Sequence, residues 1–316
     1  MCTISVAMTT YDGEKYILDQ LISLRDQTKK ADEVVIVDDA SLDKTAALIA
    51  DFIKKNELSN WKLVINKTNK GWVQNFYYAI SLTTCEIVFF SDQDDIWDKN
   101  KIMEMSIRIK EYAHIQVLGC RVKLIDSYGN VLPNNHYSLP FDSKNTRTCR
   151  AVNLDNKFIY SISPGCTMAV KRNLINELLE YGSRLAVPHD ALFWKIGILR
   201  GKTYVLDEPL ISYRIHSSNA SNPKLNNHDI TGSAMRIEEN RQLMEEQKKI
   251  SRIYSLVEIQ PNIDTLTVLK KLDGFLLKRN IYLNGEGSSF FYYLKYHDFY
   301  RTFRMFLGDL LSRHKI

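Results

Sequence analysis

Val34-Val35-Ile36-Val37 runs directly into Asp38-Asp39-Ala40-Ser41. Four consecutive apolar residues, all β-branched, show no polar-apolar alternation, so both faces of the segment are suited to burial. Parallel strands covered by helices on either side read this way. Similar runs recur along the first hundred residues. Ile4-Ser5-Val6-Ala7-Met8 reads as a strand, Leu63-Val64-Ile65 as another and Ile87-Val88-Phe89-Phe90 as a fourth. Between them, apolar residues fall at helical spacing: Ile17, Leu21 and Leu24, then Ala46, Ile49, Ala50 and Ile53, then Phe76, Ala79 and Ile80. This alternation of strand and helix predicts an α/β protein built on a parallel sheet.

Such sheets bind ligands beyond the carboxyl ends of their strands. The residues there are Thr9-Thr10-Tyr11, Asp38-Asp39-Ala40-Ser41 and Ser91-Asp92-Gln93-Asp94-Asp95. Two of the three are carboxylate clusters, which folding does not require. In the last, three carboxylates repel one another unless a cation or solvent intervenes. Asp92 and Asp94 project to the same side, and hard oxygen ligands suit Mg²⁺ or Mn²⁺. The same residues also read as a solvated turn capping a helix that begins near Asp98. Asp39 suits a base N–H or a ribose hydroxyl, and Ser41 suits a helix cap. Pro188-His189-Asp190 precedes Ala191-Leu192-Phe193-Trp194, so Asp190 reads as a partly desolvated general base or as an N-cap. In Tyr213-Arg214-Ile215-His216 the two basic residues share one face of an extended segment. They read as a clamp for a diphosphate or as part of an ordinary surface strand.

The chain has 316 residues, enough for about two domains, and its 45% hydrophobic and 25% charged content is that of a globular protein. No run reaches the roughly 18 apolar residues of a spanning helix, and no signal peptide is expected. Five scattered cysteines without a C-x-x-C pair predict neither a zinc ribbon nor a disulfide framework, but free thiols in a reducing cytosol. A net charge of +5 with scattered basic residues does not predict nucleic-acid binding. From Tyr112 to Asn222 the pattern is mixed. Short strand-like pieces (Val117-Leu118, Thr167 to Val170, Thr203 to Leu206) alternate with polar loops, the longest from Asn134 to Asn156. From Ile230 onward the chain reads helical. Leu243, Ile250, Ile253 and Val257 share one face, Leu266, Leu269, Leu276 and Leu283 a second, and Phe299, Phe303, Phe306 and Leu310 a third. Residues 290–316 also carry Phe290, Phe291, Tyr292, Tyr293, Tyr296 and Tyr300, with five cations to two acids. This tail reads as helix packed on the core or in a homo-oligomer, or as an amphipathic helix at a membrane interface.

Taken together, these motifs resemble a family 2 glycosyltransferase with a GT-A fold, over about residues 3–222. The opening I-S-V-x-M-x-T-Y is Ile4 to Tyr11, V-D-D-x-S is Val37 to Ser41, N-x-G is Asn69 to Gly71 and D-x-D-D is Asp92 to Asp95. Gly165-Cys166-Thr167-Met168, His189-Asp190 and Tyr213 to His216 complete the series. The form Ser-Asp-Gln-Asp-Asp-Ile-Trp is similar to the subgroup often called rhamnosyltransferase-like. The resemblance implies a Rossmann-like, mostly parallel sheet flanked by helices over residues 1–225. Residues 1–112 would form the nucleotide-sugar half, 113–225 the acceptor half, and 226–316 a helical C-terminal extension.

The resemblance also implies roles. Thr9, Tyr11 and Glu14 line the nucleotide pocket and Asp39 holds the pyrimidine base. Asp92 and Asp94 bracket ribose, metal and diphosphate, with Asp94 the direct ligand of Mn²⁺ or Mg²⁺. Asp190 is the catalytic base. Asp95, Trp97, Gly165, Cys166 and His189 face the donor or acceptor sugar. Arg214 and His216 stand where the family's Q-x-x-R-W element meets the diphosphate, but the Trp is absent, which argues against a processive synthase. The implied reaction is inverting transfer from a UDP- or dTDP-sugar to a saccharide or lipid-linked saccharide, in the cytoplasm or on the inner membrane face. A sugar nucleotidyltransferase or dinucleotide oxidoreductase would need a Gly-rich loop, and residues 9–15 hold only Gly13. A degenerate GT-A fold serving as a carbohydrate- or nucleotide-binding scaffold is the remaining alternative.

Overall fold

The apolar runs become strands whose faces are closed by the amphipathic helices between them. The computed structural model describes residues 2–132, 148–217, 219, 233–258, 262–286 and 295–312. The chain forms two compact units, Met1–Val152 with Ile162–Ser217, and Asn153–Ser161 with Ser218–Ile316. Residues 134–147 of the expected polar loop, the boundary at 225/226, Phe290, Phe291, Tyr292, Tyr293 and residues 313–316 lie outside the described residues.

In the first unit, β1 (Ile4–Thr10), α1 (Ile17–Arg25), β2 (Glu33–Asp38), α2 (Thr45–Lys55), β3 (Trp61–Ile65), α3 (Trp72–Ser81) and β4 (Ile87–Ser91) follow the predicted alternation. The strands pair parallel in the order β3-β2-β1-β4. Every residue of β1 and β4 is buried. Ile4, Val6 and Met8 join Ile17, Leu21 and Leu24 of α1 in one core. Each such side chain contributes roughly 1.5–3 kcal/mol on leaving water. This rigid layer places three strand ends side by side.

The rest of this unit comprises β5 (Ile96–Trp97), α4 (Lys101–Glu111), β6 (Val117–Ile125), β7 (Cys149–Ala151), β8 (Met168–Lys171), α5 (Arg172–Leu185), α6 (His189–Leu199) and β9 (Thr203–Arg214). Here the sheet becomes mixed. β8 lies antiparallel between β4 and β6, β6 and β9 are parallel, and β5 and β7 are antiparallel to β9. Two features depart from the sequence reading. Ile96 and Trp97 pair with Ser212 and Ile211, so α4 starts at Lys101 instead of near Asp98. β9 continues past Leu206, because register shifts around Arg121 let its ladder with β6 persist to Arg214. That extension carries the basic segment back beside the acidic one.

In the second unit, α7 (Ser233–Val257), α8 (Ile263–Leu283) and α9 (Phe303–Ser312) enclose a buried ion cluster. Asn262 caps α8 by accepting from the backbone N–H of Asp264 and Thr265. Asp309 of α9, with no exposed surface, accepts from Arg279 Nε at 2.8 Å, Arg236 Nη1 at 2.8 Å and Tyr300 Oη at 3.0 Å. A Cβ on Gly308 would overlap the Arg236 guanidinium, so a glycine stands where that cation enters. The aromatic tail is not one helical stripe. Phe299 lies in a separate 3₁₀ turn, Phe303 is 70% exposed, and Phe299, Tyr300 and Phe306 are buried. Phe275 of α8 meets Phe299 and Tyr300 at ring separations of 5.5 and 5.1 Å. Among the described residues no helix is long and apolar enough to cross a membrane. All five cysteines are free thiols.

Candidate active site

The loops after β1 and β2 are laced together by side chains. Thr10 Oγ1 donates to Asp38 Oδ2 at 2.8 Å, and the Ser41 N–H donates to Asp38 Oδ1 at 2.9 Å. Asp12 and Ala40 sit at φ +44° and +62°, strained positions for side-chain-bearing residues. Thr9 is almost wholly buried and Tyr11 is 44% exposed. Glu14 accepts from the Lys44 N–H at 3.1 Å, which ties the loop after β1 to the start of α2. Asp39, 2% exposed, accepts from Asn66 Nδ2, Lys70 N and Gly71 N at 2.8, 2.8 and 2.9 Å. Its charge organises the turn into α3, where Gly71 adopts φ +79°.

At the end of β4, Gln93 grips the Tyr11 backbone twice. Its Oε1 accepts from Tyr11 N at 2.8 Å and its Nε2 donates to Tyr11 O at 2.9 Å. A Cβ on Gly13 would overlap that Gln93 amide. The acidic loop is thereby docked on the loop after β1. The residue between two aspartates carried no evident signal in the sequence.

Asp94 faces the end of β9. Its Oδ2 lies 2.8 Å from His216 Nε2, and its carbonyl accepts from Arg214 Nε at 2.8 Å. The Arg214 N–H donates to Asp95 Oδ1 at 3.0 Å and its Nη2 to Asp19 at 3.0 Å, with the guanidinium 4.7 Å from the Tyr16 ring centroid. Arg214 is only 2% exposed. It braces the acidic loop, so the segment is not the ordinary surface strand that the sequence also allowed.

Ligand atoms of Asp92, Asp95 and Cys166 lie within 4.8 Å of one another. Burial, and then the charges of Asp94 and Asp190, push the Asp92 carboxyl up to about 7. Burial and both neighbouring carboxylates raise Asp95 well above its ordinary range, and burial does the same to the Cys166 thiol. Lys101, fully buried, donates to the Cys166 carbonyl and stands 3.6 Å from the Trp97 ring centroid. It is the internal counter-charge of this cluster. Its only sequence trace is a lysine on the apolar face of α4 beside Ile102, Met105 and Ile109.

Asp190 occupies the first turn of α6 and accepts from the Ala191 N–H at 2.8 Å. Its charge reaches Asp92 and Tyr77, raising both. His189 stacks on Phe76 at 3.9 Å and meets Phe90 edge-on at 5.0 Å. Burial holds the imidazole down at about 3, and both ring nitrogens lack a hydrogen-bond partner among the described residues. A Cβ on Gly165 would overlap His189 Nε2. Trp97, Cys166 and His189 are at most 3% exposed and pack beneath the acidic loop and the start of α6. The structure thus brings together Asp92, Asp94 and Asp95 from the loop after β4, Arg214 at the end of β9 with His216 just beyond it, and Asp190 from α6. Asp94 facing the His216 imidazole, with the half-buried Asp92 and the buried Asp95 beside it, offers the oxygen and nitrogen donors that fit a divalent cation.

The family model for glycosyl transferase family 2 matches residues 5–179. Among similar proteins, the dTDP-rhamnosyl transferase RfbG of Shigella flexneri is 27% identical over 225 residues, covering 67% of this chain and 72% of that protein. The poly(ribitol-phosphate) beta-N-acetylglucosaminyltransferase TarS of Staphylococcus aureus (strain MW2) is 29% identical over 216 residues, 65% of this chain and 35% of that protein. The crystal structure of S. aureus TarS with UDP-GlcNAc superposes at a TM-score of 0.59 with 19% identity, covering 99% of this chain and 92% of that one. The mannosyltransferase PcManGT from Pyrobaculum calidifontis, solved with GDP-Man and Mn²⁺, gives 0.54 with 16% identity, covering 99% and 86%. The match spans more than half of the chain and takes in the strands that carry the acidic motifs, and on that ground the chain belongs to glycosyl transferase family 2 and is a glycosyltransferase of GT-A fold.

Proposed function

We propose that this glycosyltransferase is an inverting, divalent-metal-dependent enzyme. It transfers a sugar from a UDP- or dTDP-linked donor to a hydroxyl of a saccharide or lipid-linked saccharide during cell-surface polysaccharide synthesis. One observation carries the reading: Asp190 lies near enough to Asp92 to oppose its ionisation, while Asp94 and His216 face each other in the same acidic cluster. The donors in the names of its relatives, dTDP-rhamnose and UDP-GlcNAc, support a pyrimidine nucleotide.

In this reading Asp94 and His216, with Asp92 beside them, hold Mn²⁺ or Mg²⁺, which when bound offsets charge on the leaving diphosphate. The exposed Tyr11 ring and the Asp39 loop take the pyrimidine base, and Asp92 takes the ribose. Asp190 accepts the proton of the acceptor hydroxyl as its oxygen attacks the anomeric carbon and the bond to the nucleoside diphosphate breaks on the opposite face. A carboxylate suffices because the hydroxyl acidifies as the new bond forms and because positioning removes the entropic barrier. Arg214 keeps the Asp94 backbone in place from behind.

Asp190→Asn preserves the acceptor for the Ala191 N–H and removes the base. Transfer is expected to fall roughly 10²–10⁴-fold while UDP binding in Mn²⁺, measured by calorimetry, is retained. Full transfer by the variant refutes the assignment. A thermal-shift screen of UDP- and dTDP-sugars with Mn²⁺ identifies the donor, since a bound ligand stabilises the fold by mass action.

A lipid-linked acceptor would favour contact of residues 290–316 with an anionic membrane. That contact is to be tested by liposome binding of the intact chain, because truncation would remove Asp309 and leave Arg279 and Arg236 buried without it.

A further inference from the structure

The loop that delivers Asp190 is held by α3. Tyr77 Oη donates to the Val187 carbonyl at 2.7 Å, three residues before Asp190. One turn earlier on the same face, Gln74 Nε2 donates to Ser183 O and Ser183 Oγ donates to Gln74 Oε1, both at 2.9 Å. A Cβ on Gly182 would overlap both Tyr77 Oη and Leu192, so the backbone is bare where the phenol reaches through. Between the Ser183 and Val187 contacts the chain turns at Ala186, with φ +48°. Such a conformation persists where its surroundings over-determine it. Phe76 supplies the remaining hold by stacking on His189. Burial, and the nearby Asp190 charge, raise the Tyr77 phenol well above its ordinary value, so it remains a donor.

The start of α3 is also fastened to the loop after β2. Asp39 accepts from Lys70 and Gly71 just ahead of the helix, and Asn75 Nδ2 donates to Val37 O at 3.0 Å. Asn66 Nδ2 bridges Asp39 Oδ1 and Asn75 Oδ1, each at 2.8 Å. One ten-residue helix therefore ties the end of β2 to the turn before Asp190.

We infer that Tyr77 is a positioning residue for the proposed base: through Val187 it sets where Asp190 stands relative to the loop organised by Asp39. The inference rests on Asp190 being the base. It is tested with the full chain carrying Tyr77→Phe, which keeps the ring and loses only the hydroxyl. The half-exposed Gln74→Ala serves as a second variant that loosens the same turn. The assay uses whichever UDP- or dTDP-sugar supports wild-type turnover, and UDP in Mn²⁺ is the calorimetric probe of the pocket.

Tyr77→Phe is expected to lower kcat roughly tenfold or more, since sub-ångström misplacement of a catalytic group is costly. Donor KM and UDP affinity should stay at wild-type values, and Gln74→Ala should show a smaller loss of the same kind. Wild-type kcat in both variants overturns the inference, as does a parallel loss of UDP binding, which would mark general damage. If Asp190→Asn is inactive and Tyr77→Phe fully active, positioning fails while the base assignment stands. If Asp190→Asn is fully active, both fail.

Discussion

His216 Nε2 stands 2.8 Å from Asp94 Oδ2, although 122 residues separate the two in the chain. The pair exists because β9 runs beside β6 and β5 to the level of the acidic loop. If the two hold a divalent cation, Asp94→Asn and His216→Ala should each abolish thermal stabilisation by Mn²⁺. Each should also lower turnover roughly 10²-fold through lost charge stabilisation at the leaving group. Undiminished Mn²⁺ stabilisation in either variant would place the cation elsewhere.

Asp92 and His189 should act on stability in opposite directions over one pH range. Asp92 is raised from 3.8 to about 7, so its contribution is complete below its unfolded value and is lost as pH climbs through 7. His189 is depressed from 6.5 to about 3, so its contribution is present above 6.5 and is lost as pH falls toward 3. Melting temperatures of the metal-free protein should therefore gain in the neutral range for Asp92→Asn and in the acid range for His189→Phe, relative to wild type. Curves that run parallel to wild type from pH 4 to 8 would contradict both assignments.

Gln93 should matter to nucleotide binding without touching the nucleotide. Gln93→Ala frees the Tyr11 backbone, and Gly13→Ala pushes the amide out of its place. Losing hydrogen bonds of this kind costs about 1–3 kcal/mol, so UDP affinity should fall about tenfold in each variant. Calorimetry giving wild-type affinity for both would show that the two loops need no cross-link.

Asp309 balances two buried guanidinium groups in the second unit. Asp309→Ala leaves them uncompensated and should destabilise the protein by about 3–5 kcal/mol. Replacement of the exposed partner Glu238 of Arg241 should cost almost nothing, as exposed pairs do. Urea unfolding of both variants checks the contrast, and equal midpoints would reject it.

Local pattern was enough to make the first half of the sheet legible. Apolar runs at β1, β2 and β4 are buried on both faces, so their composition reports their environment directly. The carboxylates at their ends stood out because burial beside a strand end has no packing use for them. Trp97, Glu14 and Arg214 belong to residue types that contact ligands as readily as they brace loops, and only their partners decide which. In sequence Arg214 reads as a diphosphate clamp or an ordinary strand residue, and only the fold shows that Asp19, Tyr16 and the Asp94 carbonyl hold it. Gln93 and Tyr77 were overlooked because each works on another segment's backbone, a contact that leaves no periodicity.

The order of strands and helices, the acidic strand ends and the family were thus determined by the sequence itself, since they follow from patterns a few residues long. The strand order that sets β9 beside β5 just past the acidic loop, the pairing of His216 with Asp94, and the approach of Asp190 to Asp92 were decided only by the tertiary structure. Hydrophobic periodicity tells a segment which face to bury. Which distant strand it lies against depends on the register of long-range hydrogen bonds, and those connect residues that no local pattern relates.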